Sequence, residues 1–269
     1  MSKPPITLCG SISHHPGPLG SIIHRAGYTA LGLEFTYVPF RVTDLPGALQ
    51  GMRALGIRGF GVSMPFKIEI LQHLDHVDPL AQRIGAVNTV VNNDGVLTGY
   101  NADAFGAAEA LAQFTALEGK RVLLLGAGGA ARAVAHGLRD RGALLHIVNR
   151  SQDIAAEIAG AVGGTAGALH ELQSLDGFDI LVHTTPIGMA DHPGIIVPAS
   201  WLRSDLIVFD AVYKPIETEL TRQAKACGAT VVHGGLMLLH QAFRQFELYT
   251  GHPAPREAMT QAMKTALLG

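Results

Sequence analysis

The apolar run Leu123-Leu124-Leu125, followed at once by Gly126-Ala-Gly128-Gly129-Ala130-Ala131 and then by a helix-forming stretch, is the feature that most narrows what this chain can become. An uninterrupted apolar run suits a strand buried on both faces, as happens where helices cover a parallel sheet. GxGxxA between such a strand and a helix reads as a dinucleotide-binding turn. The first glycine turns the chain, the second lets the backbone approach a pyrophosphate, and Ala131 permits close helix–strand packing. The helix start then offers unpaired N–H groups and positive dipole to phosphates. A bare GxGxxA also occurs as a plain structural turn; its place between strand and helix favours the cofactor reading.

The same alternation of short apolar runs and longer helical patterns fills the chain, which predicts an α/β fold. Residues 6–9, 34–38 and 60–63 read as strands, separated by helical stretches beginning near Leu19 and Thr43. Residues 86–92 and 96–101 flank Asn93-Asp94-Gly95, whose Asp-Gly tolerates the positive φ of a tight hairpin, so that pair is expected to be antiparallel. After a helix over 104–114, Arg121-Val-Leu-Leu-Leu125 opens a second βα series, placing a domain junction near Asp103. The helical pattern over 235–249 carries Leu236, Leu239, Phe243 and Phe246 at steps of three and four. A last helix over 255–268 needs a partner for its apolar face, and its expected return to the first domain makes that domain discontinuous. The division expected is 1–103 completed by 240–269, and 104–239 as a Rossmann domain.

Composition excludes several classes. With 269 residues, 48% hydrophobic, 16% charged and a net charge of −2, the chain is an ordinary globular protein with no basic surplus for nucleic acid. Its start has no apolar run behind Lys3, and no stretch approaches the ~20 apolar residues of a membrane span. Cys9 and Cys227 form neither a CxxC pair nor a zinc pattern, which fits a reducing, cytoplasmic setting. The thirteen histidines include the adjacent pair His14-His15 but no HxxxH or HExxH spacing, so no metal is expected. The oligomeric state, monomer or homodimer, is not written in the pattern.

The strand over 144–148 ends in Asn149-Arg150-Ser151, where an NAD-specific fold would place an acidic residue for the ribose hydroxyls. A guanidinium there suits a 2′-phosphate, with the Ser151 hydroxyl beside it, so NADP (NADPH) is the expected cofactor and NAD the weaker alternative. The alternative for Arg150 is a solvated surface residue.

Seven motifs, in order, resemble those of the shikimate dehydrogenase family: Gly61-Val-Ser-Met-Pro-Phe-Lys67, Gly85-Ala-Val-Asn-Thr89, Asn101-Ala-Asp103, Gly126-Ala-Gly-Gly-Ala-Ala131, Thr184-Thr-Pro-Ile-Gly-Met189, Asp210-Ala-Val-Tyr-Lys-Pro215 and Gly235-Leu-Met-Leu-Leu-His-Gln241. The resemblance implies a mixed, mostly parallel substrate domain, a Rossmann domain and an active site in the cleft between them. It implies hydride transfer between NADPH and a cyclic hydroxy acid, with 3-dehydroshikimate reduced to shikimate as the family reaction, part of aromatic amino acid biosynthesis. Lys67 and Asp103 correspond to the acid–base pair. Reducing a ketone needs a proton for the oxygen, which a Lys ammonium can supply while it stabilises the alkoxide. Taken singly, Lys67 also reads as an exposed helix residue and Asp103 as the N-cap of the helix that follows. Ser63, Asn88, Tyr213 and Gln241 correspond to substrate-side positions, and Thr184, Ala211 and Gly234 to cofactor-side ones.

The chain departs from the family pattern in ways that mark a divergent branch. The Ser-x-Ser-Pro loop that grips the substrate carboxylate is replaced by Cys9-Gly-Ser-Ile-Ser-His-His-Pro-Gly-Pro-Leu-Gly-Ser21, leaving Ser11, Ser13 and Ser21 as the hydroxyls on offer. Gly61 stands where the family has Asn, Ser63 where it usually has Thr, His183 where it has Asn, and Ile154 where many members have a second basic residue. These changes keep open a dehydrogenase specific for quinate or an aminated analogue, and a non-catalytic NADP-binding sensor. The retained Lys67 and Asp103 favour an enzyme.

Overall fold

The computed structural model describes residues 5–268. The chain divides into two compact units, one running to Ala102 and resuming at Gln241, the other Asp103–His240.

The first unit is built on β1 (Thr7–Ser13), α1 (Leu19–Ala30), β2 (Phe35–Arg41), α2 (Leu45–Ala54), β3 (Gly59–Val62), β4 (His76–Val77), α3 (Pro79–Ile84), β5 (Thr89–Asn93) and β6 (Val96–Tyr100). Its sheet has the order β2-β1-β3-β5-β6-β4, with β5 antiparallel to both neighbours and the other pairs parallel. Acidic residues cap α2 and α3. The Asp44 carboxylate accepts the Gly47 N–H at 3.0 Å ahead of α2, and Asp78 accepts that of Leu80 at 2.9 Å ahead of α3. The hairpin turn has Asp94 at φ 51° and Gly95 at φ 89°, and the Asn92 side chain accepts the Gly95 N–H at 2.7 Å.

The second unit begins in α4 (Ala102–Ala112), with Ala102 itself counted in the first, and continues through β7 (Arg121–Leu125), α5 (Gly129–Arg139), β8 (Leu144–Asn149), α6 (Gln152–Val162), β9 (Thr165–Ala168), β10 (Ile180–His183), β11 (Ile207–Asp210), α7 (Glu219–Ala226) and β12 (Thr230–His233). All six strands are parallel in the order β9-β8-β7-β10-β11-β12, which is the doubly wound order 3-2-1-4-5-6. The triple leucine explains why β7 is central. Val122 and Leu124 join the apolar layer with Val134, Leu138 and Ile158, whereas Leu123 and Leu125 join the opposite layer with Leu181, Val208 and Leu220. Buried on both faces, β7 can alternate nothing polar.

The last two helices are α8 (Gly234–Thr250) and α9 (Arg256–Leu268). The unit boundary falls inside α8, and its second half and α9 complete the first unit. There α1 packs so closely that a methyl group on Gly27 would meet Phe246 at 2.8 Å and the Met259 sulfur at 3.0 Å. Among the described residues no helix is long and apolar enough to cross a membrane, and no group of three His, Cys, Asp or Glu side chains gathers as metal ligands.

Three local expectations need correction. β1 runs through Ser13, paired residue by residue with β2 as far as Arg41, so Ser11 and Ser13 lie in a strand and not in a loop. Residues 86–88 precede β5, the Val87 N–H donating to the Lys67 carbonyl of the preceding turn while β3–β5 pairing begins at Thr89. Asp103 sits inside the first turn of α4, which already begins at Ala102, and so does not N-cap it from outside.

Candidate active site

In the second unit the glycine turn and its neighbours wall a cleft of about 350 Å³. Gly126 adopts φ 112°, and a methyl group there would come within 2.7 Å of the Thr184 hydroxyl, so only glycine turns at this point. The Thr184 hydroxyl donates to the Leu125 carbonyl at 2.8 Å, tying the end of β10 to the end of β7, where the strand order reverses. Gly128 occupies the N-cap of α5, and a methyl group on Gly128 or Gly129 would meet nothing within 4 Å. The approach to the α5 N-terminus is therefore open backbone, which fits a pyrophosphate. Gly126, Ala127, Gly128, Asn149, Arg150 and Thr184 line this one cleft. Gly129, Ala130, Ser151, Ala211 and Gly234 are not among its walls. Ser151 is the N-cap of α6 with its hydroxyl unused in capping, and Gly234 lies hard against the Ala211 and Asp210 backbone, with the Asp210 carbonyl 2.8 Å from where a methyl group would sit.

Thr185, Pro186 and Ile187 of the Thr184–Met189 motif also line the cleft, and so do Val148, Leu169, His192 and Ile196, which no sequence motif singles out as cofactor-side. His183 likewise has no evident reason in the sequence. Its Nδ1 is 2.9 Å from the buried Asp210 carboxylate and its Nε2 2.5 Å from the hydroxyl of Thr185, which is half-buried in the cleft wall. Asp210 further accepts the Val212 N–H at 3.0 Å and the Thr218 hydroxyl at 2.6 Å. Through Asp210, His183 thus couples the loop after β10 to the start of α7.

In the first unit Lys67 follows β3 on a turn closed by the Phe66 N–H donating to the Ser63 carbonyl at 3.0 Å. Its own carbonyl accepts the Val87 N–H at 2.8 Å, which brings the lysine turn to the residue before Asn88. Asn88 is buried, and its side chain is held on three sides: its Nδ2 donates to Gln241 Oε1 at 3.1 Å, and its Oδ1 accepts the Ala102 N–H at 2.7 Å and the Thr89 hydroxyl at 2.8 Å. Ser63 is exposed and Lys67 half-buried. The chain thus gathers Lys67, Ser63, Asn88 and Gln241 in one unit, although Gln241 is more than 150 residues away in sequence.

The serines of the altered first segment do not gather as a hydroxyl pair. Ser21 donates to the Tyr37 carbonyl at 2.9 Å, and Ser11 lies half-buried within β1. Ser13 is buried and holds β2's continuation through its carbonyl, which accepts the Val42 N–H at 3.0 Å. His14 and His15 are exposed, with the His14 ring edge-on to Phe66 at 5.1 Å. Asp103, 6% exposed, and Tyr213, 41% exposed, belong to the other unit.

Comparison with known proteins supplies the family. Residues 12–90 match the shikimate dehydrogenase substrate binding domain, 108–200 the shikimate / quinate 5-dehydrogenase family, and 236–264 the shikimate 5′-dehydrogenase C-terminal domain. A shikimate dehydrogenase (NADP(+)) of Halorubrum lacusprofundi is 43% identical over 256 residues, covering 91% of this chain and 93% of the relative. Among solved structures, a shikimate dehydrogenase in complex with NADP+ superimposes with a TM-score of 0.91 at 36% identity, covering 97% of this chain and 96% of that one. The 5-ketofructose reductase of Gluconobacter sp. strain CHM43 superimposes with a TM-score of 0.89 at 34% identity, covering 97% and 98%. With identity of this order along nearly the whole length, the chain belongs to the shikimate dehydrogenase family.

Proposed function

We propose that the protein is an NADP-dependent oxidoreductase acting on a CH–OH group, interconverting shikimate and 3-dehydroshikimate or a close cyclic hydroxy acid. The observation that carries this reading is the Asn88 side chain, locked by three hydrogen bonds beside the Lys67 turn and paired with Gln241. A buried amide held this firmly is a rigid reader of hydroxyl groups, since it both donates and accepts. Gln241 and Ser63 add adjustable polar contacts, and Ser11, Ser13 and Tyr213 complete the substrate-side set. Lys67 stabilises the developing alkoxide and gives its ammonium proton to the oxygen, and Asp103 orients that ammonium and shares in the proton transfer. NADPH, when bound, supplies the hydride to the carbonyl carbon. Gly126 through Ala130 accommodate the pyrophosphate, Asn149, Arg150 and Ser151 the 2′-phosphate ribose, and Thr184, Ala211 and Gly234 the nicotinamide side.

One observation favours a second substrate reading, a neutral polyhydroxy ketone. Ser21 is engaged with the Tyr37 carbonyl and Ser13 is buried, while Pro16 and Pro18 bring neither hydroxyl nor N–H to the segment that would hold a carboxylate. The likeness to a 5-ketofructose reductase points the same way.

NADPH absorbance separates these readings. The purified chain is given shikimate, quinate or an aminated analogue with NADP, and separately 5-ketofructose with NADPH. Lys67→Ala and Asp103→Ala are expected to cut turnover by at least ~100-fold, the scale of acid–base assistance, while NADP binding survives. Turnover of the ketose alone moves the substrate to the neutral class. NADP binding with no turnover of any compound removes the enzymatic reading, and near-wild-type turnover in both variants removes the proposed acid–base pair.

A further inference from the structure

Gln245 is a buried polar residue that the catalytic assignment leaves unused. It lies one turn beyond Gln241 on α8, only 3% exposed, among Ala242, Phe246 and Tyr249 on the inward side of that helix. A glutamine costs free energy in such a place unless its amide is satisfied. Its Nε2 donates to the Asn88 carbonyl at 3.2 Å and to the Thr89 hydroxyl at 3.0 Å. Thr89 in turn donates to Asn88 Oδ1 at 2.8 Å. Gln245 therefore grips the substrate-side asparagine twice, once through its backbone and once through the hydroxyl that fixes its side chain.

The neighbour of Gln245 across the sheet is Gly61, where a side chain would have no room. A methyl group there would meet the Tyr37 hydroxyl at 2.9 Å and Gln245 Nε2 at 3.3 Å. Gly61 pairs with Thr89 in the β3–β5 register, so a side chain at 61 and the Gln245 amide compete for one volume beside Asn88. Glycine at 61 and glutamine at 245 are thus two halves of one arrangement: the amide that position 61 cannot carry is delivered from α8.

We propose that Gln245 is a positioning residue for the substrate-reading amides, holding Asn88 and through it Gln241 in register, and that Gly61 and Gln245 form one specificity unit. This rests on the proposed role of Asn88 in reading substrate hydroxyls.

Gln245→Met is the discriminating variant, because it fills the same volume and removes only the donors and acceptor. Expected are a KM for the ketone or alcohol substrate raised by about tenfold or more, kcat within about threefold, an unchanged KM for NADP and a nearly unchanged Tm. Gly61→Asn alone should be as damaging through crowding, and Gly61→Asn with Gln245→Ala should recover substrate KM beyond what either single change allows, a coupling expected only of residues sharing one space. Unchanged substrate KM in Gln245→Met, or strict additivity in the double variant, overturns the proposal. A third arm needs no turnover: the Asn88 side-chain amide resonances of the 15N-labelled chain should shift and exchange faster in Gln245→Met, and identical spectra would refute the positioning role. If the wild type turns over none of the offered compounds but these resonances move, the proposed reaction fails while the Gln245 contact to Asn88 stands.

Discussion

His24 is a neutral imidazole enclosed by aromatic rings. It stacks on Tyr37 with centroids 4.5 Å apart and planes 2° from parallel, and Tyr28, Phe246 and Tyr249 close round it. Burial pushes its pKa down to about 4, with the Gln245 amide opposing the shift, and the same burial pushes the nearby Cys9 thiol up to about 12. The unfolded chain takes up the His24 proton near pH 6.5 and the folded one only near 4, so the imidazole favours folding above 6.5 and loses that contribution as pH falls through this interval. The loss amounts to about 3 kcal/mol at the lower end. Denaturant unfolding at pH 7 and pH 4.5 should therefore show a steeper decline for the wild type than for His24→Phe, which keeps the stack and drops the titration; parallel declines would dismiss the idea. None of this is legible in the sequence, where His24 is one of thirteen histidines inside a helix. Lys67, Asn88 and Gln241 stand out in the sequence because each sits in a recognisable motif. Gln245 does not, because it interrupts an apolar stripe whose periodicity is carried by its hydrophobic members; a polar residue inside such a stripe is the signal for it.

At the scale of elements, strands and helices followed from apolar periodicity and from the turn residues between them, and errors gathered at boundaries. The sequence places the end of β1 at Cys9, beside Gly10, yet parallel pairing to β3 as far as Ile12 and to β2 as far as Ser13 carries the strand on. Pairing partners distant in sequence decide such ends, and local propensity does not report them. The end of α8 shows how a distant residue can also stabilise an element. Its last carbonyls lack intrahelical partners, and the Arg58 guanidinium, from the start of β3, donates to the Tyr249 carbonyl at 2.8 Å, to that of Leu248 at 3.3 Å and to that of Asn92 at 2.8 Å. One cation thus ties α8 to β5. Arg58→Ala should cost on the order of 2 kcal/mol in urea unfolding, since it leaves several carbonyls without their charged donor. A change below about 0.5 kcal/mol would mean that water replaces the guanidinium without loss.

The whole molecule has a contiguous unit and a discontinuous one, and that asymmetry decides which part can stand alone. The unit Asp103–His240 carries its entire parallel sheet and both apolar layers, from Ala107 to Met237 on one face and from Leu123 to Ala229 on the other. The first unit does not have its core in one stretch, because α1 closes against Phe246 and Met259, contributed by α8 and α9. A fragment of residues 103–240 should therefore melt cooperatively by circular dichroism. It should also gain about 2.7 kcal/mol of stability from NADP at one hundred times its dissociation constant, as mass action requires of a ligand bound to the folded state alone. Residues 1–102 alone, with α1 stripped of its cover and the Asn88 amide without Gln241 and Gln245, should show no cooperative transition. Joining 241–269 to them through a short flexible linker should restore one, because the missing helices supply contacts and not merely length. A cooperative melt of 1–102 by itself would mean that its core does not require the helices supplied by 241–269. Failure of 103–240 to fold would mean that its two apolar layers depend on the rest of the chain.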